Sequence, residues 1–78
     1  MNVQRLHRGS PFLNWLVFSG DGRFWQLRHS DFAQNEYRIY KPSDYGTWQK
    51  CGDLTAGDNN ASVRRAFAKW LQAQEVNL

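Results

Sequence analysis

Seventy-eight residues are enough for one domain near the lower end of the usual size range, and a chain this short hides only about 60% of the surface it exposes when unfolded, so its stability needs reinforcement. The single cysteine, Cys51, excludes a disulfide within the chain and a cysteine-based metal site, and the two histidines, His7 and His29, are far apart in sequence. Reinforcement therefore falls to four Trp, three Tyr and five Phe, while ten Lys and Arg against seven Asp and Glu leave a net charge of +3, a mild bias toward anionic partners.

Residues 1–11 read as a basic N-terminal arm with Arg5 and Arg8, ending in the turn-forming Gly9-Ser10-Pro11. The stretch from Phe12 to Phe18 is rich in strand formers, but Asn14 interrupts it and no small-residue cleavage site follows. A signal peptide is therefore not expected. No apolar run approaches the roughly 20 residues that cross a bilayer. The chain is read as cytoplasmic, with no membrane partner.

Gly20-Asp21-Gly22 separates this stretch from a second one, Arg23 to His29, so the pair reads as a β-hairpin with Gly22 at a positive-φ position. A three-residue loop places Ser19 opposite Arg23, Val17 opposite Trp25, Trp15 opposite Leu27 and Leu13 opposite His29. One face then gathers Leu13, Trp15, Val17, Trp25 and Leu27. The other gathers Phe12, Asn14, Leu16, Phe18, Phe24, Gln26 and Arg28. A two-residue loop would mix polar and apolar side chains on both faces, and strand register follows such segregation.

Ser30–Asn35 reads as a polar connector. Glu36 to Lys41 alternates with a period of two, placing Tyr37 and Ile39 with the apolar face and Arg38 and Tyr40 with the other. Pro42 to Gly46 is turn chemistry. Thr47–Cys51 is expected as a short last strand with Trp48 directed inward, and Gly52–Gly57 as a loop. Asp58, Asn59 or Asn60 can cap a helix over 58–75 whose apolar stripe is Val63, Phe67, Trp70, Leu71 and Gln74. The predicted fold is α+β: a three- to four-stranded antiparallel β-meander over 12–54, with one C-terminal amphipathic helix packed on one face, all within a single domain over 1–78.

Catalytic constellations are not expected. His29-Ser30-Asp31 holds the letters of a hydrolase triad, yet neighbouring strand residues point to opposite faces, so a strand running into a turn is the better account. Nothing brings Cys51 to either histidine, and a lone intracellular cysteine usually behaves as a small hydrophobe. The glycine-containing loops are too short, and wrongly placed, to cradle a phosphate. No cofactor, metal or small-molecule substrate is expected.

Two surfaces could bind a partner. The sheet face away from the helix carries Phe18, Phe24 and Tyr40 with Arg28 and Arg38. Rings interleaved with arginines are how single-stranded nucleic acid is held, by base stacking and phosphate neutralisation. The alternative is that the N-terminal arm, through Val3 and Leu6, or a second copy of the chain covers this patch. The outer helix face carries Arg64, Arg65 and Lys69, extended by Arg5 and Arg8, and reads either as a phosphate-contacting surface or as a solvated helix side. A short meander followed by one helix is also similar in outline to the integrase arm-binding and AP2-like DNA-binding domains, which insert a sheet into the major groove. The similarity lies in element order, and no motif carries membership.

The chain is thus expected to be a small non-enzymatic binding module. One reading is nucleic-acid binding through the sheet face and the basic helix face. The other is a protein-binding adaptor or inhibitor of the phage or mobile-element type, docking the same aromatic patch on a host protein, with homodimerisation through that face as a third arrangement.

Overall fold

A computed structural model describes residues 1–6, 15–30 and 33–76. These form an antiparallel sheet of five strands in sequence order, β1 (Asn2–Arg5), β2 (Trp15–Phe18), β3 (Phe24–Ser30), β4 (Ala33–Pro42) and β5 (Trp48–Thr55), followed by one helix, α1 (Asn60–Val76). The fold is α+β, with five strands in place of the expected three or four.

The extra strand comes from the N-terminal segment. Residues expected as an arm pair with β2, placing Asn2 opposite Phe18, Val3 opposite Val17 and Arg5 opposite Trp15. Val3 is buried on the helix side, so the segment extends the sheet at its edge and does not lie across the aromatic face. The outer edge of β1 is partly closed by α1, where the Asn60 side-chain amide donates to the Val3 carbonyl at 2.8 Å. Such cover limits edge-to-edge association.

The β2–β3 hairpin has the predicted register, with Trp15 opposite Leu27, Val17 opposite Trp25 and Phe18 opposite Phe24. The Ser19 amide donates to the Arg23 carbonyl at 3.0 Å, and Gly22 has φ of 94°. That left-handed backbone is why glycine stands there. The expected pairing of Leu13 with His29, and the side chains of Phe12 and Asn14, lie outside the described residues.

Three boundaries move. β4 begins at Ala33, so the predicted connector shrinks. β5 continues to Thr55, through residues expected to be a loop. Helix α1 starts at Asn60 because Asn59 is the cap, its side-chain oxygen accepting from the Ser62 amide at 2.8 Å.

The core follows strand parity. Val3, Trp15, Val17, Trp25, Leu27, Tyr37, Ile39 and Leu54 form the buried face of the sheet, and Val63 and Phe67 of α1 close over them. The Phe67 ring is 5.0 Å from that of Trp25 and 5.4 Å from that of Trp70. Trp70 and Leu71 are half-buried at the edge of this core, and Gln74 of the predicted stripe is exposed. Each end of α1 is held by an arginine that also covers a core tryptophan. Arg5 stacks over Trp15 at 5.3 Å and pairs with Asp58 at 2.9 Å. Arg23 stacks over Trp25 at 5.4 Å and pairs with Glu75 at 3.1 Å. No helix among the described residues is long and apolar enough to cross a membrane.

Trp48 is the main correction to the core. It was expected to point inward, but its register partner is Pro42 and its ring contacts Phe24 on the far face of the sheet. The cause is a β-bulge. Ile39 pairs with Gly52 and Tyr40 with Lys50, so Cys51 is an extra residue that reverses the parity of everything before it in β5.

Candidate nucleic-acid interface

The outer face of the sheet is organised in three cross-strand rungs. At one end stand Phe18 opposite Phe24 and, on the neighbouring pair of strands, Pro42 opposite Trp48. The ring centroids of Phe18 and Phe24 are 6.3 Å apart, and Trp48 meets Phe24 edge-on at 5.8 Å. Phe18 and Phe24 remain 36% and 39% exposed, enough to offer ring surface to a partner. Sequence parity found both phenylalanines. It missed Trp48, for which the one available signal was Gly52, because a glycine within a strand often marks a bulge.

The middle rung runs Gln4, Leu16, Gln26, Tyr40 and Lys50. Gln26 is buried to 9% exposure although it faces away from the helix. The Arg28 guanidinium lies over the Tyr40 ring at 4.0 Å and donates to the Gln26 side-chain oxygen at 3.2 Å and 3.3 Å. A phenol ring, a carboxamide and a guanidinium are thus locked together, which holds the Arg28 charge at a fixed position.

The third rung places Arg28 opposite Arg38, and Arg38 opposite Asp53. Two like charges directly across a strand pair are unfavourable unless an anion lies between them. Asp53 pairs instead with Lys50 at 3.1 Å, so neither arginine has an ion-pair partner among the described residues. The result is a ladder graded from apolar rings at one end to two arginines at the other that make no ion pair among the described residues.

Arg64, Arg65 and Lys69 are exposed on α1 and make no ion pair among the described residues. The helix covers the inner face of the sheet, so these three side chains lie on the opposite side of the molecule from Phe18, Phe24, Arg28, Arg38 and Tyr40. The eight predicted site residues therefore form two separate surfaces. Arg5, expected to extend the helix patch, is engaged with Trp15 and Asp58, and Arg8 lies outside the described residues.

The remaining reactive groups do not converge. Cys51 is half-buried in the β5 bulge, where burial pushes its thiol pKa up against the opposing charge of Lys41, leaving less thiolate than a free cysteine has. The His29 ring packs edge-on against Tyr37 at 5.8 Å. Among the described residues, no three His, Cys, Asp or Glu side chains are grouped to hold a metal ion.

The chain matches no known protein family, no curated protein and no solved structure.

Proposed function

We propose that this protein is a small non-enzymatic binding module whose open sheet face takes single-stranded nucleic acid. The observation that carries this reading is the ladder itself: contacting Phe18, Phe24 and Trp48 rings lead through the Tyr40–Arg28 stack to the unpaired Arg28 and Arg38 pair. Bases stack on exposed rings with about 1–3 kcal/mol each and without sequence preference, and a phosphate between the two arginines relieves their repulsion. The flat face suits splayed bases better than a duplex, whose bases are already stacked. The helix surface of Arg64, Arg65 and Lys69 serves as a second, purely electrostatic contact.

A titration of labelled single- and double-stranded oligonucleotides at low and moderate salt tests this. Single strands are expected to bind better, with an affinity that falls steeply as salt rises, because each phosphate contact releases counterions. Phe24→Ala is expected to lose most of the binding while the fold persists. Absence of binding at low salt ends this reading.

One observation favours the protein-docking alternative, an adaptor or inhibitor of the mobile-element type. The rung formed by Phe18, Phe24, Pro42 and Trp48 carries no charge, as the centre of a protein interface does. That reading requires Phe24→Ala to release a co-purifying host protein. A homodimer formed through the same rung would show as a doubled mass in light scattering.

A further inference from the structure

On the helix side of the sheet, between the C-terminal half of α1 and the end of the sheet where β3 begins and β4 ends, lies a cleft of about 580 Å³. Small-molecule sites commonly enclose about 300–1,000 Å³, with apolar walls and a few convergent polar groups. The walls here are Phe24, Trp25, Trp70, Leu71 and Pro42, with Cys51 among them. The shape depends on Gly52. A Cβ at that position would stand 2.7 Å from the Trp70 ring, so the missing side chain lets the indole lie against the strand and leaves the space beside it open.

The rim supplies the charge. Arg23 is compensated twice, by Asp21 at 2.9 Å and by Glu75 at 3.1 Å. Lys41 lines the same cleft and makes no ion pair among the described residues. Its ammonium is close enough to act on the Cys51 thiol. The cleft therefore combines apolar walls, with the half-buried Trp70 indole among them, and one positive charge that has no ion-pair partner among the described residues.

We propose that this cleft binds a small amphipathic anion, with a planar apolar body of one or two fused rings set against Trp70 and Leu71 and a single acidic group on the Lys41 ammonium. The site does not rest on the nucleic-acid reading: it opens on the helix side of the sheet, and although Phe24 and Pro42 of the aromatic rung also reach its rim, Phe18 and Arg28 do not line it.

Two fluorescent probes of nearly equal shape test it: anilinonaphthalene sulfonate, which carries the anion, and its uncharged parent phenylnaphthylamine. Both are expected to bind with energy transfer from tryptophan, the sulfonate about threefold to fivefold more tightly, as a partly exposed ion pair allows. Lys41→Gln is expected to remove that preference and keep phenylnaphthylamine binding, Leu71→Arg to weaken both probes, and Phe18→Ser, on the outer face, to change neither. Equal affinity of the two probes for the unaltered protein, or an unchanged preference in Lys41→Gln, overturns the proposal. Release of both probes by Phe18→Ser would seat them on the outer face and overturn it as well. Loss of both probes at high protein concentration, with a dimer in sedimentation, would give the cleft to a second copy of the chain.

Discussion

Tyr37 is 1% exposed, and its hydroxyl has no hydrogen-bond partner among the described residues. A buried hydroxyl without a partner forfeits its hydration, so Tyr37→Phe is expected to be neutral or to stabilise by up to about 1 kcal/mol, read as an unchanged or higher urea midpoint. Asp21 illustrates the opposite case at the surface. The Ser19 hydroxyl first, then the Arg23 amide and guanidinium, hold its carboxyl below the usual value of 3.8. A depressed carboxylate stabilises the folded state above its unfolded pKa. The contribution of this turn is therefore complete above about pH 3.8 and is lost as pH falls through the lower folded-state value. Carbon-detected titration should show Asp21 ionising below an ordinary aspartate, and Ser19→Ala should bring it back up. A titration at the ordinary position in the unaltered protein would contradict this account of the turn. At this scale, the outward residues Phe18, Phe24, Arg28, Arg38 and Tyr40 were legible from alternation alone. Trp48 was not, because one inserted residue, Cys51, reverses parity without altering composition.

Among the elements, the β2–β3 hairpin was the most legible, since loop length and segregation of side chains both specify one register. The N-terminal strand was the least. Asn2–Arg5 is short and mostly polar, and only Val3 reaches the core, so its strand character comes from pairing with β2 and not from its own pattern. The bulged strand β5 gives the sharpest test of element packing. Gly52→Ala forces its methyl group to within 2.7 Å of the Trp70 ring, and an overpacked contact of this kind costs about 1–3 kcal/mol. Gly20→Ala, with nothing within 4 Å and no positive φ, should be nearly silent. Chemical denaturation of the two variants side by side checks the difference. Equal midpoints would mean that Trp70 does not rest on β5 in solution.

For the whole molecule, the sheet separates the two surfaces that the sequence offered and adds a cleft that it did not. The aromatic ladder and its arginines face one way, while the basic helix side and the cleft under α1 face the other. Sequence alone assigned residues to faces correctly in β2, β3 and β4. It also set Arg64, Arg65 and Lys69 apart from Phe24, because the apolar stripe of the helix matches the tryptophan-bearing face of the sheet; the cleft was not legible, because it depends on how Trp70 rests on Gly52. The separation makes the surfaces independently testable: neutralising the three helix cations should reduce the salt slope of oligonucleotide binding while base stacking persists, whereas Phe24→Ala should do the reverse.

The most direct measurement is amide and indole chemical-shift mapping of the labelled protein with a short single-stranded oligonucleotide. The account predicts that the largest shifts fall on Phe18, Phe24, Arg28, Arg38, Tyr40 and the Trp48 indole, with only small changes along α1. Shifts confined to Arg64, Arg65 and Lys69, or no shifts at low salt, would contradict it.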